Sequence, residues 1–184
     1  MSCSSPSFSD KGIENMSNNK LYIDSLCFNK ENLLHVMEKI SGTDSIAILK
    51  FTEELDNEDW NRILKKLSNK KIGKLIIKQD VFAIDLNKIS DVKVFSLYIK
   101  ADSFPALTFN LKSVVDMKVF EIKCRSDLSC VTGTLPKHLD HLRLYSSFKE
   151  IPSFVYSCKE VSFMRLVSGN MSTFSASELD SLSK

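Results

Sequence analysis

Glycine and proline are scarce in this chain, with five of the first and four of the second in 184 residues. Gly12, Gly42, Gly73, Gly133 and Gly169 form no Gly-x-Gly-x-x-Gly, no Gly-x-x-x-x-Gly-Lys-Ser/Thr and no Gly-x-Ser-x-Gly. The sequence therefore offers no loop whose backbone amides would cradle a phosphate and no nucleophile elbow. Its three histidines, His35, His138 and His141, have no partner that spacing would nominate for catalysis. No enzymatic activity and no cofactor are expected. Long apolar runs are missing too, none approaching the roughly 18 residues that span a bilayer. The opening Met-Ser-Cys-Ser-Ser-Pro has neither the basic region nor the apolar core of a signal peptide. These absences point to a soluble, cytoplasmic protein without a membrane partner. Charge bias is also absent: 25 Lys and Arg against 23 Asp and Glu leave a net +2. That is too little to argue for nucleic acid, so an electrostatic case must rest on where the charges fall.

The five cysteines are odd in number and irregularly spaced, which suits reduced thiols better than a disulfide framework. Cys124, Cys130, His138 and His141 have the residue types of a zinc site but lack the close Cys-x-x-Cys pairing of structural sites. Two histidines three apart on a strand point to opposite faces, so no metal is expected.

What the chain does have is 43% apolar residues, enough for one domain with a sizeable core. Residues 1–19 hold five serines before Ser17 and little periodic apolar content, and read as a flexible tail. From residue 20 to 184 a template recurs: an aliphatic residue, two variable positions, an apolar residue, one variable position, another apolar residue. Val92-Lys93-Val94-Phe95-Ser96-Leu97 and Met117-Lys118-Val119-Phe120-Glu121-Ile122, 25 residues further on, are near copies. The template fits Ile23-Leu26-Phe28, Ile46-Leu49-Phe51, Ile72-Leu75-Ile77, Val92-Phe95-Leu97, Met117-Phe120-Ile122, Leu139-Leu142-Leu144 and Val161-Met164-Leu166. The middle anchors step by 23, 26, 20, 25, 22 and 22 residues, within the range of leucine-rich repeats. The expected fold is α/β, a leucine-rich-repeat-like solenoid of about seven irregular units. Parallel strands would line its concave face, and helices or 3₁₀ turns its convex face.

Between the strands, Asp56 to Leu67 reads as an amphipathic helix capped by Asp56 or Asn57, with Trp60, Ile63, Leu64 and Leu67 on one face. Its acids (Glu58, Asp59) come early and its bases (Lys65, Lys66) late, matching the helix dipole. Glu31 to Ile40 repeats the pattern with Leu33, Leu34, Val36, Met37 and Ile40. Later, Phe104-Pro105, Leu135-Pro136 and Ile151-Pro152 put proline between strands, which predicts extended or short 3₁₀ connections. Near the end, Ser175-Ala176-Ser177-Glu178 is a capping box before Leu179 and Leu182, and the sequence stops two residues later. A solenoid normally closes with a polar capping repeat. The expectation is an array truncated at its C-terminal end, part of a longer repeat protein.

Strand side chains alternate, so the residues flanking the last two anchors face away from the core. Unit by unit these are Ser25, Cys27, Asn29; Ile48, Lys50, Thr52; Lys74, Ile76, Lys78; Val94, Ser96, Tyr98; Val119, Glu121, Lys123; His141, Arg143, Tyr145; and Phe163, Arg165, Val167. Basic residues outnumber acidic six to one there. The candidate partner-binding residues are Lys50, Lys74, Lys78, Tyr98, Lys123, Arg143, Tyr145 and Arg165, a set that suits an acidic protein surface or a polyanion. The expected role is a non-enzymatic recognition or autoinhibitory module for a protein partner or a neighbouring domain. A substrate-recruiting adaptor and a polyanion or nucleic-acid binder are the alternatives.

Over residues 20 to 182 the pattern resembles the leucine-rich-repeat superfamily. It departs at the position three after the last anchor, usually Asn or Cys, where this chain has Glu31, Glu54, Asp80, Lys100, Arg125, Ser147 and Gly169. Without an asparagine ladder the array should be irregular and less tightly wound. Leu21-Tyr22-Ile23-Asp24-Ser25 followed by Ser45-Ile46-Ala47-Ile48-Leu49-Lys50-Phe51 is similar to the start of the repeat domain in animal NOD-like receptors, in particular the apoptosis-inhibitory, inflammasome-forming group. That resemblance implies innate-immune sensing of bacterial protein ligands and repeats that hold a neighbouring nucleotide-binding domain inactive. No nucleotide-binding motif accompanies the repeats in this chain, and no family ligand residue can be carried over.

Overall fold

A computed structural model of the protein describes residues 22–28, 31–52, 56–78, 86–103, 107–114 and 116–169. Both the expected tail at residues 1–19 and the capping box at Ser175–Glu178 lie outside them.

Seven strands form one all-parallel sheet: β1 (Tyr22–Phe28), β2 (Ser45–Phe51), β3 (Lys71–Lys78), β4 (Lys93–Ala101), β6 (Val119–Cys124), β8 (His138–Ser146) and β9 (Glu160–Ser168). Their order across the sheet is their order in the chain. A second, two-stranded parallel sheet pairs β5 (Leu107–Asn110) with β7 (Val131–Thr134). Parallel neighbours need a crossover, and here the crossovers supply the second layer. They are α1 (Leu33–Ser41), α2 (Asn57–Leu67), a 3₁₀ turn over Leu86–Asp91, the strands β5 and β7, and a 3₁₀ turn over Ser153–Ser157.

One apolar cluster joins the two layers. Across the sheet its middle row is Leu26, Leu49, Leu75, Leu97, Phe120, Leu142 and Met164, each the register partner of the next. Parallel in-register pairing stacks like on like, so the row is buried from Leu26 to Leu142. On β9 the corresponding Val161, Met164 and Leu166 are only half-buried. The aromatic side chains divide the core in two. Under the first strands Phe28 stacks on Phe51 at 4.8 Å, and Trp60 of α2 meets Phe51 edge-on at 5.1 Å. Under the later strands Phe109, Phe120 and Phe154 form a second group, with Phe109 lying 5.6 Å from Phe120 and 5.3 Å from Phe154.

Local sequence explains the change of crossover. Asp56 caps α2 by accepting a 2.8 Å hydrogen bond from the Asp59 amide, and Trp60, Ile63, Leu64 and Leu67 are all buried, as the periodicity predicts. In α1 the buried residues are Leu33, Val36, Met37 and Ile40, whereas Leu34, expected on the apolar face, is exposed. A proline-containing connection cannot run as a helix, and Pro152 stands immediately before the second 3₁₀ turn while Leu135-Pro136 follows the extended β7.

The register expected for the fourth unit is corrected. The fourth unit is anchored on Val94, Leu97 and Ile99, which pair with Ile72, Leu75 and Ile77. The alternative Val92-Phe95-Leu97 register is out by two residues. Val94, expected on the open face, is fully buried, and Phe95, expected in the core, is 50% exposed. With this register the middle anchors step by 23, 26, 22, 23, 22 and 22, more evenly than before.

The strand ends also carry side-chain hydrogen bonds to the backbone of the preceding unit. Hydroxyl and thiol groups take part, bonding the carbonyl of the preceding strand end or of the segment after it. Thr52 Oγ1 donates to Phe28 O at 2.9 Å and Ser147 Oγ to Arg125 O at 3.0 Å. Cys124 Sγ lies 3.6 Å from Asp102 O, and Ser146 and Ser168 donate to the carbonyls of Ser126 and Phe148.

Candidate recognition surface

The sheet face opposite the core carries three rows of side chains, each row running across strands in register. The first is Ser25, Ile48, Lys74, Ser96, Val119, His141 and Phe163. The second is Cys27, Lys50, Ile76, Tyr98, Glu121, Arg143 and Arg165. The third runs through Lys78, Lys100, Lys123, Tyr145 and Val167. All eight residues expected at the surface from sequence, Lys50, Lys74, Lys78, Tyr98, Lys123, Arg143, Tyr145 and Arg165, lie in these rows. Lys100 joins them through the corrected register of β4 and was missed because Val92-Phe95-Leu97 also fits the template. Even anchor spacing was the signal that could have found it. Among the described residues these three rows carry seven basic side chains (Lys50, Lys74, Lys78, Lys100, Lys123, Arg143 and Arg165) and one acid, Glu121.

The charges are organised around rings. Lys74 Nζ lies 5.6 Å from the centroid of Tyr98, Arg165 Cζ 5.6 Å from that of Tyr145, and Arg143 Cζ 5.9 Å from that of Phe163. A cation held over a ring at such distances gains about 0.5–1 kcal/mol at exposed sites, which favours an ordered face over a loose brush of side chains. His141 meets the edge of Phe163 at 5.4 Å, and its Nδ1 is buried with no hydrogen-bond partner among the described residues. Burial raises the Tyr98 hydroxyl above its ordinary pKa, with the negative charge of Glu121 and then Tyr145 adding to it.

At the C-terminal ends of β4, β6 and β8 the surface dips into an open groove of about 370 Å³. Lys100, Lys123, Arg125, Tyr145, Ser147 and Val167 line it together with Ala101, Cys124, Ser146 and one acid, Asp102. Arg125 makes an exposed ion pair with Asp102 at 3.5 Å.

The cysteines and histidines do not converge. Cys124 is buried, with Sγ near Asp102 O and 3.2 Å from Ser126 Oγ. His138 pairs with Glu160 at 2.7 Å on the surface, and His141 belongs to the open face. Among the described residues no three His, Cys, Asp or Glu side chains are grouped to hold a metal ion. Burial pushes the Cys158 thiol up from its ordinary pKa, which disfavours the thiolate that nucleophilic or metal-binding chemistry would need. No described helix is long and apolar enough to cross a membrane.

Comparison of the chain with protein-family models, with curated proteins and with solved structures finds no match.

Proposed function

We propose that this chain is a non-enzymatic recognition module, a leucine-rich-repeat-like solenoid whose open sheet face holds an acidic protein partner or a neighbouring domain. One observation carries the reading: seven cations and one acid in the three described rows of a single face, three of the cations set over aromatic rings. Lysines that served solubility alone would need no aromatic neighbours, whereas aromatic and arginine side chains are the residues that anchor interfaces. Ile48, Ile76 and Val119 on the same face add apolar area that a partner would cover. Within a NOD-like receptor such a face would hold a neighbouring domain in one state and release it when a ligand competes.

The test is capture of partners from extract of the source cells by the wild-type chain and by a Lys74→Glu/Lys123→Glu/Arg165→Glu variant. The variant should keep its circular dichroism spectrum and lose the captured partners. Unchanged capture would overturn the reading. A polyanion binder would instead lose affinity steeply with salt for any nucleic acid offered.

A further inference from the structure

We infer that the lysine row at the ends of β3, β4 and β6 is a docking site for an extended, carboxylate-rich segment of a protein partner. The inference rests on the recognition reading of the sheet face and assigns the partner's chemistry. Lys78 pairs in register with Lys100, and Lys100 with Lys123. Neighbouring strands lie about 4.8 Å apart, so three ammonium groups leave the sheet within a width of about 10 Å. All three are exposed. The ion pairs among the described residues are Arg62–Asp59, Arg125–Asp102, His138–Glu160 and Arg143–Glu121, and none includes a member of the row.

Like charges directly abreast on a sheet are destabilising. Nothing in the fold requires them here, because the same three strands carry Lys74, Ser96 and Val119 in one row and Ile76, Tyr98 and Glu121 in the next. The repulsion is a standing demand for counter-charge. The row then continues through Tyr145 to Val167, along the groove that Lys100, Lys123 and Arg125 flank. A fitting occupant carries carboxylates along the lysines and an apolar side chain against Tyr145 and Val167. A peptide meets both demands. A phosphodiester backbone meets the first only.

The test is fluorescence anisotropy of a labelled dodecapeptide alternating Glu and Ser and ending in Leu, added to the full chain at ~50 mM and ~300 mM NaCl. Saturable binding is expected, weakened roughly tenfold or more by the higher salt and by Lys100→Ser/Lys123→Ser. Lys112→Ser/Lys137→Ser, which removes exposed lysines outside the three rows, should leave it unchanged. The Lys100→Ser/Lys123→Ser chain should melt no lower than wild type, since it relieves repulsion. A labelled single-stranded DNA dodecamer should bind more weakly than the peptide. Peptide binding that is undetectable, that survives loss of Lys100 and Lys123, or that is weaker than DNA binding overturns the proposal. If the row variant then keeps its captured partners while the Lys74, Lys123 and Arg165 reversal loses them, only the acidic-segment assignment falls. If both keep them, the recognition reading of the face falls as well.

Discussion

Glu121 and Arg143 face each other on adjacent strands, with Arg143 Nη1 3.6 Å from Glu121 Oε2. The pair lies in the middle row of the open face, on the fifth and sixth of its seven strands, and is half-buried there. It places the one carboxylate of the three described rows beside Tyr98, the register partner of Glu121 on the other side.

That placement makes the Tyr98 hydroxyl a reporter of the face. Burial first, then Glu121 and Tyr145, raise its pKa in the folded state. A raised folded pKa means that the fold favours the neutral phenol. The resulting stability is fully present below the ordinary tyrosine pKa of about 10 and is lost as pH rises through the higher folded value. Stability should therefore fall above about pH 10, and Tyr98→Phe should blunt the fall. Glu121→Gln should move the Tyr98 titration back toward its ordinary value, read by tyrosinate absorbance against a Tyr98→Phe blank. An unshifted titration would show that the Glu121 charge does not contribute.

The register of β4 gives a second prediction. Val94 is fully buried and Phe95 half-exposed, the reverse of what the Val92-Phe95-Leu97 register implies. Val94→Ala should cost about 2 kcal/mol in urea unfolding, through lost burial and the cavity left behind. Phe95→Ser should change stability by less than about 0.5 kcal/mol. Equal losses from the two substitutions would contradict the pairing of Val94 with Ile72.

The same strand shows what was legible in the sequence. Six of the seven units could be placed correctly, because in-register parallel strands stack an aliphatic residue on an aliphatic residue and leave three apolar positions in each unit. β4 was ambiguous for a physical reason. Val92, Val94, Phe95, Leu97 and Ile99 are all apolar, so two registers satisfied the template, and only the neighbours Ile72 and Ile77 choose between them. With the register fixed, Lys100 moves to the face and completes the lysine row. The serine and thiol bonds of Thr52, Cys124, Ser146 and Ser168 were not legible. They depend on carbonyls at or just after the end of the preceding strand, 20 to 24 residues away in the chain. The β5–β7 pairing was hidden as well, since each strand has only four residues and no repeat template marks it. The ring contacts of Lys74, Arg143 and Arg165 follow from register once the strands are aligned, but not from the sequence of any one unit.

Trp60 supplies a third prediction. Its ring is fully buried against Phe51, yet its Nε1 has no hydrogen-bond partner among the described residues. A buried unpaired donor costs about 1–3 kcal/mol, so Trp60→Phe should recover part of what the smaller ring loses. The Phe variant should stay within about 1.5 kcal/mol of wild type, whereas Trp60→Ala should lose about 3–5 kcal/mol. A Phe variant as unstable as the Ala variant would mean that ring volume, and not the orphan N–H, governs the site.

Gly133 links the back layer to the recognition face. It sits on β7 opposite Phe109 with φ of 153°, and a Cβ there would lie 2.2 Å from the Phe109 carbonyl oxygen and 2.6 Å from its ring. Neither neighbour can retreat freely, because Phe109 is packed against Phe120 and Phe154. Gly133→Ala should therefore cost roughly 2–4 kcal/mol, from unfavourable backbone dihedrals together with overpacking. Phe120 lies between Val119 and Glu121 on β6, so a shift of Phe109 presses on the strand that carries Glu121 and Lys123. The variant should be measured for both stability and binding of the acidic peptide. A stability loss with wild-type peptide affinity would show that the back layer deforms without moving β6. A matched loss of both would show that the β5–β7 pair holds the face in its binding geometry.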